Sequence, residues 1–220
     1  MLDKGRAARI FEILRKHSTS DETEVLISSG RSELTRFANN TIHQHVAEEQ
    51  CVVSVRAVAG QRTARATTNK LDDDSLRRVV ASAEALARVQ HPDPDLLPMA
   101  EKTAVEGGPP APSRAFAATA ALTPEDRASG VEKIVAVAMR NGLTAAGIFS
   151  SGQSADAILN SRGLFAWHEQ TSAEVSVTML AGDSSGWQKA NSPNVASLDP
   201  VGLAETAARK ARESAAPREV

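Results

Sequence analysis

One cysteine, no tyrosine and few other aromatics, five Phe and two Trp, stand in a chain of 220 residues. With Cys51 alone an intramolecular disulfide is impossible, and thiol usage this sparse points to a cytoplasmic protein. No apolar run reaches the length of a membrane-spanning helix, so no membrane partner is expected. Met1–Ala8 carries Asp3, Lys4 and Arg6 with no apolar stretch behind them, which excludes a secretory signal. Neither sign of charge dominates. With 25 Lys and Arg against 27 Asp and Glu, the net charge of -2 supplies no field for nucleic acid. Because aromatics are scarce, alanine and valine must fill the core, and that requires helices and sheet to approach closely.

What the chain does have is a repeat. The stretch from Glu24 to Arg88 returns more loosely from Ala146 to Arg212. Ser28, Ser29 and Gly30 match Ser150, Ser151 and Gly152 at an offset of 122. Phe37 matches Leu159, Ile42 matches Leu164, and the run Val53–Gly60 matches Val175–Gly182 at the same offset. One insertion follows the glycine, and Leu71-Asp72 then reappears as Leu198-Asp199. The pattern implies two copies of one strand–strand–strand–hairpin–helix unit, each preceded by a helix. The expected division is a first repeat over 1–90, a linker over 91–122 and a second repeat over 123–216. The fold class is α+β, with two repeated units of antiparallel or mixed sheet and packed helices.

Local signals support this. Leu2, Ala7, Ile10, Ile13 and Leu14 form one helical face, and His17 ends that helix on the solvent side. Strands are expected over 23–28, 33–38, 42–47, 51–59 and 61–68. Ser29-Gly30, Asn39-Asn40 and Gly60 would be their turns. Asp72 caps the next helix, with Leu71 and Leu76 as a hydrophobic staple and Leu76, Val79, Val80, Ala83 and Leu86 as its buried stripe. In the second copy Asp199 caps and Pro200 stands at the first helical position. Between the copies, Pro92, Pro94, Pro98, Pro109, Pro110 and Pro112 with Gly107-Gly108 predict an irregular crossing segment, disordered around 104–114. Thr123, Pro124 and Asp126 cap a helix with a stripe of Val131, Ile134, Val135 and Ala138, ended by Asn141-Gly142. Second-copy strands are expected at about 145–150, 154–160, 164–169, 173–181 and 186–190.

Chemistry is harder to find. His43 and His45 share one face of a strand, but two ligands make no metal site and no third stands at useful spacing. His168-Glu169 lacks the second histidine of a zinc-protease helix. Ser28, Ser29, Ser150 and Ser151 precede glycines without a base to activate them, and the context is not a nucleophile elbow. Arg56, Arg62, Arg65, Arg77 and Arg78 form a modest basic patch with no stacking aromatics, which reads as a solvated face. No catalytic residue, metal ligand or cofactor is assigned to this chain.

Taken together, Glu24–Gly30, Leu34–His43 with its Asn39-Asn40 turn, and Val53–Gly60 resemble the amino-terminal region of the TldD/PmbA family, long labelled a modulator of DNA gyrase. The resemblance runs through most of 1–90 and more loosely over 123–220. It implies a cytoplasmic protein acting on peptides, a homodimer or a heterodimer with a family paralogue, and a zinc-binding His-Glu-x-x-x-His motif in a carboxy-terminal half. That motif does not occur here, and the chain stops at Val220 where such a half would begin. The resemblance therefore implies the non-catalytic region of a metallopeptidase or of its zinc-less paralogue, inactive alone and lining the peptide cavity. Asn39, Asn40, Gly60 and Gly182, at the ends of strands, are the peptide-contact candidates. Alternatives are a stand-alone binding or scaffold protein and a gyrase-associated modulator.

Overall fold

The computed structural model describes residues 1–102 and 112–216, so the stretch expected to be disordered around 104–114 lies mostly outside the described residues. Helix α1 (Lys4–His17) starts where the Asp3 carboxylate accepts the Arg6 N–H at 2.8 Å, and its last turn carries Arg15 and Lys16, whose cations suit the negative end of the helix. Strand β1 (Glu22–Ala38) turns through Asn39 and Asn40, both at positive φ, into β2 (Thr41–Ala59). Gly60, at φ +60, turns β2 into β3 (Arg62–Thr68). Helix α2 (Asp73–Val89) follows on the Asp72 cap. A single turn α3 (Ala117–Ala120) precedes α4 (Pro124–Arg140), which opens with a full capping box between Thr123 and Asp126. Then come β4 (Thr144–Asn160), β5 (Phe165–Leu180), β6 (Ser185–Ser192), a 3-10 turn (Val195–Ser197) and α5 (Pro200–Glu213) on the Asp199 cap.

The strands are fewer and longer than expected. Ser29-Gly30 and Ser150–Gly152 lie inside β1 and β4, and the polar Glu48–Gln50 stretch lies inside β2. Serine and glycine signal a turn only when no neighbouring strand claims their backbone. Here β1 lies between β2 and β4, and β4 between β1 and β5, in the order β3-β2-β1-β4-β5-β6 of one antiparallel sheet. Gly152 instead marks a close approach: a side chain there would press on Ser172 Oγ at 3.1 Å and the Arg31 carbonyl at 3.3 Å.

By packing, the chain divides into two compact units. The first comprises Met1–Gly30, Glu49–Pro112 and Ser154–Glu169; the second comprises Arg31–Glu48, Ser113–Gln153 and Gln170–Val220. Each unit thus takes the hairpin tip of the other repeat. In the first unit α1 and α2 set Ala7, Ile10, Leu14, Leu76, Val80 and Ala83 over Val25, Ile27, Val53 and Val55, with Ala155, Ala157 and Leu159 completing the core. Leu86, assigned to the α2 stripe, is 46% exposed; Ala87 faces inward in its place. In the second unit α4 and α5 cover Phe37, Phe149, Val175, Val177 and Met179. The inward stripe of α5 is Ala204, Ala207, Ala208 and Ala211, and Gly186 of β6 sits against the Ala207 carbonyl with no room for a side chain. Alanine against glycine is how a core poor in aromatics brings helix onto strand.

The α1–β1 loop of the first unit is held by one carboxylate. Glu84, largely buried on α2, accepts from the backbone N–H of Thr19 at 2.5 Å and of Ser20 at 3.1 Å, and from the hydroxyls of Ser18, Thr19 and Ser20. Burial pushes its carboxyl up, but these donors outweigh it and hold the group below its ordinary value.

Candidate functional site

The four loop candidates differ in what the structure asks of them. Asn40 is committed to the fold of the second unit: its side-chain oxygen accepts the Ala145 N–H at 2.7 Å, and its amide donates to the Leu143 carbonyl at 3.2 Å. Asn39 beside it is exposed at the loop tip. Gly60, in the first unit, and Gly182, in the second, have nothing within 4 Å of where a side chain would stand. Only Gly60 needs its glycine for backbone reasons, because Gly182 is not among the residues at positive φ.

A concentrated polar site in the second unit went unread in the sequence. Arg127, on the inward stripe of α4, is 1% exposed. Its Nη1 donates to Glu33 Oε2 at 2.7 Å, Ser151 Oγ at 3.0 Å and the Leu122 carbonyl at 3.2 Å, and its Nε reaches Thr35 Oγ1 at 3.4 Å. The other Glu33 oxygen pairs with Arg31 at the surface, and Thr35 Oγ1 also meets His45 Nδ1 at 2.9 Å. A buried ion pair holds only when its remaining groups are satisfied, and here every buried side-chain nitrogen and oxygen among the described residues has a partner. The visible signal was alternation: Glu33 and Thr35 stand on the same strand face as Phe37, which points into the core.

Shallow clefts open beside the strands. One, of about 330 Å³ in the second unit, is lined by Arg114, Ser150, Gln170, Ser172, Glu174 and Asn191. Its wall is built where Arg114 bridges Gln170 in parallel and the Arg114 carbonyl accepts the Thr171 N–H at 2.9 Å. Another, of about 230 Å³ in the first unit, is lined by Leu2, Arg6, Ser29, Gly30, Glu49 and Cys51. Burial raises the Cys51 thiol above its ordinary value against the pull of Arg6 and the chain's amino group, which makes it a poor nucleophile.

Among the described residues the reactive side chains lie apart. Ser28 Oγ donates to Asp156 Oδ1 at 2.6 Å with no histidine between them, and Ser151 Oγ accepts from a guanidinium rather than facing a base. Among the described residues no group of three His, Cys, Asp or Glu side chains could hold a metal ion. No described helix is long and apolar enough to cross a membrane. Among the described residues the arrangement offers surfaces and loops on a braced scaffold.

Comparison with known proteins agrees on one family. Residues 23–87 match the PmbA/TldA metallopeptidase domain 1, and residues 93–215 match the PmbA/TldA metallopeptidase central domain. No significant match to a curated protein accompanies these. Among solved structures, TldE from Thermococcus kodakarensis superposes with a TM-score of 0.77 at 16% identity, over 94% of this chain and 47% of that one. A protein described as a modulator of DNA gyrase from Bacteroides thetaiotaomicron gives 0.81 at 16% identity, over 100% and 52%. Another so described, from Thermotoga maritima, gives 0.78 at 14%, over 97% and 49%. The chain therefore spans about half the length of the structures it matches.

Proposed function

The chain belongs to the PmbA/TldA metallopeptidase family, and from that premise we propose that it is the non-catalytic, peptide-lining region of a peptidase of this kind or of its zinc-less paralogue. The observation that carries this reading is the unbroken succession of the family's first and central domains along 23–87 and 93–215. The scattered chemistry of the described residues supports it: a hydrolytic site needs a metal or an activated nucleophile, a base and an oxyanion donor within hydrogen-bond reach.

In this reading zinc and its ligands belong to the half of a longer parent that this chain does not span. The working assembly is a cytoplasmic dimer, of two copies or with a family paralogue. Asn39, Gly60 and Gly182 are the peptide-facing positions, and Asn40 shapes the loop that presents Asn39. The gyrase description of two structural neighbours motivates a topoisomerase-partner alternative, to which the chain's near-neutral charge adds nothing.

The test is peptide hydrolysis with added zinc by the purified chain and by any longer reading frame containing it. No turnover by residues 1–220 is expected. Zinc-dependent turnover by this chain, abolished by His43→Ala or His168→Ala, would overturn the proposal.

A further inference from the structure

The sheet ends on β3 and β6, and the two edges are finished differently. Along β6, in the second unit, Lys210 Nζ donates to the Trp187 carbonyl at 3.0 Å and Ser214 Oγ to the Ser185 carbonyl at 3.1 Å. Side chains of α5 and its end thus satisfy two of the outward backbone acceptors. Along Thr63–Thr67 of β3, in the first unit, nothing comparable occurs among the described residues. The pair Ala59↔Arg62 closes a two-residue loop, so Arg62, Ala64, Ala66 and Thr68 exchange hydrogen bonds with β2. Thr63, Arg65 and Thr67 then turn their N–H and C=O groups outward. The same phase follows from Val58, opposite Thr63, whose carbonyl is taken by the Asp21 N–H on the far side of β2. The segment after α2 covers only the start of this edge, where the Asp93 N–H donates to the Gln61 carbonyl at 2.7 Å and Arg62 Nε to the Gln90 carbonyl at 3.0 Å. From Thr63 to Thr67, among the described residues, the outward backbone groups have no partner.

Beside this open edge runs a groove of about 280 Å³ between β3 and α2, bordered by Thr67, Thr68, Lys70, Ser75, Arg78 and Ser82. Neither of its cations forms an ion pair among the described residues, although Arg78 lies near enough to Asp72 to help lower that carboxyl. Arg78 gives one nitrogen to Ser75 Oγ at 2.8 Å, while two nearby acids are engaged elsewhere, Asp72 with the Ser75 N–H and Asp74 with Arg77. An unpaired edge supplies backbone hydrogen bonds to any extended chain, and the groove beside it selects by charge.

We propose that the outer edge of β3 is a docking site for an extended acidic segment of a partner protein, which adds as a strand along Thr63–Thr67 and sets an aspartate or glutamate against Arg78 and Lys70. The inference does not depend on the peptide-lining role proposed above, and its test reads binding only.

The probe is a fluorescent heptapeptide of alternating valine and glutamate, with a lysine-for-glutamate version as control, titrated by anisotropy against the whole chain. The glutamate peptide should bind at least tenfold more tightly than the lysine peptide and weaken as salt rises. Thr67→Pro removes an outward donor while leaving the pairing with β2, and should weaken binding at least tenfold with an unchanged thermal melt. Arg78→Glu, an exposed substitution, should reverse the preference between the two peptides. Equal binding of both peptides, or a Thr67→Pro chain that binds as before, would overturn the proposal. So would a concentration-dependent dimer that Thr67→Pro abolishes while neither peptide binds, because the edge would then serve a second copy.

Discussion

Ala7, Ala155 and Ala157 in the first unit stand where Arg127, Glu33 and Thr35 stand in the second, once the helix caps Asp3 and Thr123 are aligned and the strands are matched at the repeat offset. A patch of methyl groups in one unit is thus a buried ion pair in the other. The packing pairs exchange as well. Ile10 and Ile27 correspond to Gly130 and Phe149, and the Phe149 ring occupies the space a Gly130 side chain would need. Val25 and Leu159 correspond to Gly147 and Phe37, again small facing large. On the other sheet face, Ser54 accepts from Arg65 at 3.1 Å, and its counterpart Ser176 accepts from the Trp187 indole at 3.0 Å. The repeat preserves cap positions and strand register, while the letters at each position drift, small facing large where the first unit has two mid-sized side chains.

The largest effect is expected on removing one partner of the buried pair. Arg127→Ala should cost about 3 kcal/mol in urea unfolding, because Glu33 loses its buried guanidinium partner and keeps only Arg31 at the surface. Adding Glu33→Ala and Thr35→Ala, which copies the alanine set of the first unit, should recover part of that loss. A triple variant no more stable than the single one would show that the two units do not share this site.

Next comes Gly130→Ala, expected to cost about 2–3 kcal/mol through overpacking against Phe149. Combined with Phe149→Ile, the first unit's choice, it should return much of the stability, as read from the same unfolding curves.

Glu84 sharpens the contrast by pH. Its unfolded carboxyl titrates at about 4.3 and its folded one lower, so the stabilisation is full above the unfolded value and disappears as pH falls through the folded one. Glu84→Gln should cost about 1.5 kcal/mol at pH 7 and flatten the loss of stability on acidification. An unchanged pH profile would mean that the Ser18–Ser20 loop is held by other groups. The smallest effect expected is from Thr123→Ala, about 1 kcal/mol, since it removes one N-cap.

Much of this architecture was legible in the chain. Asp72, Thr123 and Asp199 marked helix starts because capping is a local transaction between a side chain and the next turn. The Asn39-Asn40 and Gly60 turns were legible for the same reason. The continuity of β1 through Ser29-Gly30 was not, because it depends on strands distant in sequence whose pairing overrides a local turn preference. Leu86 was misplaced for want of the helix phase that packing on β3 fixes. Arg127 stayed hidden because a cation on an apolar stripe makes sense only once Glu33, about ninety residues earlier, is beside it.

The hairpin tips traded between the repeats carry a consequence for synthesis. During translation the first unit cannot finish its core when residues 1–112 have emerged, because Ala155, Ala157 and Leu159 are still unmade. Until the ribosome has passed Glu169, the apolar face of Val25, Ile27, Val53 and Val55 lacks part of its cover, and a nascent chain in that condition is exposed to aggregation. A stalled or truncated product ending before residue 154 should therefore require a chaperone to stay in solution, whereas one released after α5 should not.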